Sequence, residues 1–170
     1  MARHPRSRIG REPSGLQLGA VPVISTMLGS MAPLLPFIAT APVLPPFGFM
    51  MLLSWRMLHR TLWPVWMPLP LGLFDDLLSG NPLGTSMMLW TVAFLFLEFL
   101  DRRMMWRDFR QEWVIASLLI SAFLALQLCI AWFLGARTAL WLLAPQMLLS
   151  ILAFPLVVRL CVALDAWRLR

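Results

Sequence analysis

Charge is missing from five long stretches of this chain: Leu16–Trp55, Thr61–Phe74, Leu77–Leu97, Trp113–Ala136 and Thr138–Val158. A soluble domain of 170 residues has no core large enough to hold so much uncharged, largely apolar chain. Apolar runs of roughly 18 residues or more are the length needed to cross a bilayer as a helix. Alternating apolar and polar runs of about ten residues, the mark of a membrane barrel, are absent. The pattern therefore predicts an all-α integral membrane protein, and the remaining charges mark its loops.

Hydrophobic residues make up 60% of the sequence and charged residues 13%, against roughly 25% charged in soluble domains. No polar stretch is long enough for a separate soluble domain. The net charge of +6 comes from 14 basic residues, all arginine, set in short segments beside apolar runs. That placement suits anionic lipid headgroups rather than nucleic acid, for which no basic groove is available. Cys129 and Cys161 lack CxxC spacing and are expected as small buried hydrophobes. The basic start, residues 1–15, is expected to be a disordered cytoplasmic tail rather than a cleaved signal, because the apolar run after it is too long for one.

Six spans fit the chain: about 16–39, 47–58, 62–78, 85–100, 113–134 and 139–158. They form one bundle over residues 16–158, with an amphipathic cytoplasmic extension over 159–170. The tail, the second and fourth loops and the C-terminal end carry 4, 2, 4 and 3 arginines, while the first, third and fifth loops carry 0, 0 and 1. Arginine concentrates on the cytoplasmic side of membrane proteins, so this division predicts both termini inside. Five spans would spoil it. The nine tryptophans lie mostly near span ends and read as an interfacial belt.

Few residues offer chemistry. Asp75 and Asp76 end the third span, where acidic groups are functional suspects. Adjacent helical side chains diverge by about 100°, however, so the pair is a poor divalent-metal site. Bonds to turn or neighbouring-helix groups are the simpler expectation. Glu98 sits among Asp101, Arg102 and Arg103 and is expected in an interfacial ion pair. His4 and His59 lack metal-ligand partners at suitable spacing, and no nucleophile has a base nearby in sequence. Gly80 and Gly84 flank Pro82 and read as a turn rather than a helix-packing seam. No catalytic constellation, metal site or cofactor is expected.

At Gly72-Leu-Phe-Asp-Asp-Leu-Leu-Ser-Gly-Asn-Pro-Leu-Gly84 the sequence resembles the rod shape-determining protein MreD family. The shared pattern falls on Gly72, Asp76, Leu77, Ser79, Gly80, Leu83 and Gly84. Pro45, followed by an apolar run ending in Trp55, is similar to the family's second-span pattern. The motifs cover roughly residues 45–103. Asp75 adds a carboxylate where the family is often apolar. The resemblance implies a non-enzymatic inner-membrane component of the cell-wall elongation machinery. Its implied partners are an MreC-like protein, actin-like MreB filaments, and a RodA-like glycosyltransferase with its penicillin-binding partner. It also implies a fold similar to the substrate-binding membrane subunits of energy-coupling-factor vitamin transporters.

Two functions follow as expectations. The first is a scaffold of wall elongation that works through lipid-facing helix sides. In this role Arg102, Arg103, Arg107 and Arg110 would meet a cytoplasmic filament or anionic lipid, and the Asp76–Gly84 turn, Pro82 included, would set how spans three and four pack. The alternative is the substrate-binding membrane subunit of a small-solute transporter, with an outward pocket near Asp75 and Asp76. The scarcity of polar residues within the spans (Ser117, Ser121, Gln127, Gln146, Ser150) disfavours that alternative.

Overall fold

A computed structural model describes residues 15–34, 44–103, 108–135, 141 and 143–168. Among them every regular element is helical, and there are no strands. The expected tail, Trp106 and Arg107 lie outside the described residues.

Helix α1 (Gly15–Ser30) contains Pro22, which can give no amide hydrogen to the ladder. The Ser25 and Thr26 hydroxyls donate back to the Pro22 carbonyl at 3.0 and 2.8 Å. The helix stops at Ser30 and a single 3-10 turn follows over Ala32–Leu34, so the expected first span is shorter than its apolar run. Helix α2 (Phe47–Leu58) opens after Pro45 and Pro46, where prolines prevent an earlier start. Helix α3 (Pro68–Ser79) begins with proline in its first turn. The stretch from Arg60 to Met67 is non-helical, which corrects the third span's expected start at 62; Pro64, Pro68 and Pro70 account for the difference. Helix α4 spans Thr85–Arg103 and α5 spans Phe109–Phe133.

Helix α6 (Leu143–Arg168) runs unbroken through Pro155. Residues 159–168, expected as an extension beyond the sixth span, form the last turns of this helix. The His59–Asp165 contact and the Arg168 guanidinium over the Trp55 ring, described below, tie that end to the bundle.

Every residue from Gly48 to Arg56 of α2 is buried, and this helix is the axis of the molecule. Phe49 stacks on Phe123 of α5 with ring centroids 4.4 Å apart, and lies 5.9 Å from Trp90 of α4. Trp55 is fully buried and donates its indole N–H to Ser25 Oγ of α1 at 2.9 Å. Gly29 and Gly48 let α1 and α2 approach closely: a Cβ on Gly29 would lie 3.1 Å from Gly48 N, and one on Gly48 would meet Ser30 Oγ.

Helix ends alternate between two poles. The ends of α2, α4 and α6 meet at one pole, and the C-terminal ends of α1 and α3 meet the starts of α2 and α4 at the other. Helices α5 and α6 are long and apolar enough to cross a membrane, with mean hydropathy 2.5 and 2.4 over their best windows. Their outer faces expose apolar side chains at helical spacing: Leu148, Leu152, Leu156 and Leu160 on α6, and Val114 and Leu118 on α5.

Trp55, Trp63 and Trp90 are buried among protein side chains, and Trp66, Trp141 and Trp167 are exposed. One expectation needs correcting here: Cys161 is buried as expected, but Cys129 is exposed on α5.

Candidate functional site

The segment from Gly72 to Gly84 builds the joint between α3 and α4. Asp76 is almost completely buried, and its carboxylate accepts three backbone bonds from the start of α4. Gly84 N–H donates to Oδ2 at 2.9 Å, Ser86 N–H to Oδ1 at 2.8 Å and Met87 N–H to Oδ2 at 3.3 Å. The first turn of any helix has amide hydrogens with no partner inside the helix, and they carry partial positive charge. Asp76 satisfies them from the preceding helix, a cap supplied across a turn.

Three glycines make that reach possible. Gly72 lies where α3 crosses α4: a Cβ there would fall 2.6 Å from Met87 Cα and 2.8 Å from its nitrogen. Gly80 ends α3 at φ 67°, in the left-handed region that closes helices, and Gly84 has φ 95°. Pro82 sits between them, and its carbonyl accepts the Thr85 N–H at 3.1 Å. Ser79 Oγ donates to the Asp75 carbonyl at 2.6 Å, so it closes the last turn of α3.

Asp75 points elsewhere. It lines a cavity of about 220 Å³ at the same pole, together with Gly29, Ser30, Ser79, Asn81, Gln127 and Gln146. Pro45, Pro46 and Phe47 complete one wall, and Phe123 lies beneath. Gln146 is held by its side-chain amide donating to the Leu44 carbonyl at 2.9 Å. Helical geometry separates the two adjacent carboxylates as expected: Asp76 turns into the joint and Asp75 into the cavity.

The opposite pole is built from ion pairs. Arg56, buried at the end of α2, lies 2.7 Å from Glu98 and 2.8 Å from Asp101 of α4. Its guanidinium also stands 5.1 Å from the Phe94 ring centroid, an attractive placement over the π face. Arg60 reaches Asp101 at 3.8 Å. On the other side of α2, His59 Nε2 is 2.9 Å from Asp165 of α6, and Arg168 is 2.8 Å from the same carboxylate. Arg168 also covers the Trp55 ring. The end of α2 is thus clamped between α4 and α6.

The structure divides the expected arginine surface. Arg102 is mostly exposed and pairs with Glu98 at 3.5 Å, Arg103 lies over Phe99, and Arg110 is exposed. Glu98 thus has an ion pair, as expected, but its short partner is Arg56, which hydropathy alone gave no reason to select. A groove of about 500 Å³ between α2, α5 and α6 has Glu112 and Arg159 on its lining and is otherwise mostly apolar. Among the described residues, no group of three or more His, Cys, Asp or Glu side chains is arranged to hold a metal ion.

Comparison of the chain with family models, with curated proteins and with solved structures finds no match.

Proposed function

We propose that this protein is a non-enzymatic, multi-pass scaffold of the bacterial inner membrane that maintains rod shape within the cell-wall elongation complex. One observation carries the proposal. Of the seven residues on which the sequence resembles the MreD family, Gly72, Asp76, Ser79, Gly80 and Gly84 serve one device, the capped α3–α4 joint, while Leu77 and Leu83 are exposed. A motif that fixes helix packing suits a protein that works by presenting helix faces to partners. The partners proposed are those of the family: an MreC-like protein, MreB-like filaments, and a RodA-like glycosyltransferase with its penicillin-binding partner. The surrounding lipid covers the remaining apolar faces.

In the proposed topology all six helices cross the membrane, both termini are cytoplasmic, and the ion-paired pole faces the cytoplasm beside Arg102, Arg103 and Arg110. Helices α2 and α3 have 12 residues each. At 1.5 Å per residue that is about 18 Å, less than the roughly 30 Å hydrocarbon thickness. Their non-helical flanks and local bilayer thinning would accommodate the difference. Reporter fusions at the termini and at Asn81 test this, with cytoplasmic signal expected at the former and periplasmic signal at the latter.

Depletion in a rod-shaped host tests the function. Rounding cells and recovery of MreC-like and RodA-like proteins on a tagged bait are expected. A nutrient requirement in cells that stay rod-shaped would instead favour the solute-transporter subunit. The cavity beside Asp75 supports that second reading, but at about 220 Å³ it is small beside the roughly 300–1,000 Å³ of most ligand sites.

A further inference from the structure

The cavity beside Asp75 has a one-sided chemistry. Its polar lining consists of one carboxylate, the hydroxyls of Ser30 and Ser79, and the amides of Asn81, Gln127 and Gln146, with no basic side chain among the described lining residues. Asp76, its neighbour, is satisfied by backbone N–H groups, whereas Asp75 is surrounded by serine side chains from three helices: Ser30 on α1, Ser79 on α3 and Ser86 on α4. Ser30 is 2% exposed and Ser86 is fully buried, and Asp75 is the acceptor their hydroxyls face. Here they converge on a carboxylate at the rim of a polar cavity.

We propose that this cavity binds a primary ammonium group, with Asp75 as its counter-charge and the hydroxyl and amide oxygens around it as further acceptors. An ammonium has three hydrogens to donate and no acceptor, which complements a wall rich in oxygen. A carboxylate supplies the strongest of those bonds, since both partners are charged. The volume limits the guest to about a handful of heavy atoms, the size of an aminoethyl group rather than of a vitamin. Divalent metal is a poorer fit, because Asp75 is the sole carboxylate on the lining. The pole lies at helix ends, where a headgroup of an ethanolamine lipid and a free small amine present the same chemistry. This site stands apart from the scaffold role and does not depend on it.

The full chain, purified in detergent and placed in nanodiscs, tests the proposal by native mass spectrometry against lipids with matched acyl chains. Phosphatidylethanolamine is expected to be retained about tenfold more strongly than phosphatidylcholine, whose quaternary nitrogen donates no hydrogen bond, or phosphatidylglycerol. Asp75→Asn keeps the side-chain size, removes the charge and is expected to abolish the preference while the melting temperature stays near the parent's. Glu112→Gln, away from the cavity, is expected to leave the preference intact. Should Asp75→Asn fail to fold, Gln146→Leu tests the same wall. Soluble ethanolamine distinguishes the source. Stabilisation of delipidated protein by millimolar ethanolamine, lost in Asp75→Asn, indicates a free amine. Retention of the ethanolamine lipid alone indicates a headgroup. Equal retention of all three lipids with no effect of ethanolamine overturns the site, as does a preference that survives Asp75→Asn.

Discussion

The two poles of this molecule both rest on partnered carboxylates, but they satisfy them in opposite ways. At the α3–α4 joint, Asp76 takes its bonds from backbone amides no more than 11 residues ahead. At the ion-paired pole, Glu98 and Asp101 of α4 take theirs from the Arg56 side chain of α2, and Asp165 of α6 meets the His59 ring at the end of α2. The first arrangement is local and sets one turn; the second is long-range and joins three helices. A short-range cap can form as soon as its hairpin exists. A long-range clamp needs the whole bundle, and so it reports on the whole bundle's integrity.

Substitutions can break this contrast. Arg56→Ala should have the largest effect, about 3 kcal/mol, because it leaves Glu98 and Asp101 without their buried partner. Thermal or detergent unfolding of the purified protein would measure it, and a loss near zero would mean the clamp is ornamental. Asp76→Ala should cost about 2–3 kcal/mol by orphaning three amides at the start of α4. If the poles are independent, the double variant should equal the sum of the singles to within about 0.5 kcal/mol. A larger deviation would show that the joint and the clamp communicate.

Gly72→Val comes next. With Met87 Cα only 2.6 Å from the position of a Cβ, α3 and α4 must separate, at about 2 kcal/mol. Gly84→Ala meets no atom within 4 Å but must hold φ 95°, so about 1 kcal/mol is expected from backbone strain alone. Comparing these two separates contact from conformation within one joint. Arg102→Gln should change stability by less than about 0.5 kcal/mol, since its side chain is 76% exposed and its pair with Glu98 is screened by water and salt. A clear fall in partner pull-down with unchanged stability would place Arg102 on a working surface.

The local features could be read from residues close together in the chain. Gly80, Pro82 and Gly84 spell a turn, and a buried aspartate beside a turn has few options other than the amides around it. The order of the helices followed from charge spacing. The α2 axis could not be read in the same way: a helix enclosed by protein and one facing lipid have the same apolar composition, so Gly48–Arg56 resembled the outward α6 in hydropathy. The proline-rich stretch before α3 misled about where that helix starts, because apolar residues continue where the backbone cannot. The Arg56 clamp and the Asp75 cavity draw on helices far apart in sequence. No spacing rule places Gln127 and Gln146 beside Asp75.

The burial of Arg56 also has a temporal side. Its partner Glu98 follows 42 residues later. At synthesis rates of about 5–20 residues per second, the ribosome needs roughly two to eight seconds to deliver it. Arg56 therefore cannot form its pair with Glu98 until α4 has been made, so the α2–α4 ion pair is completed well after α2 itself.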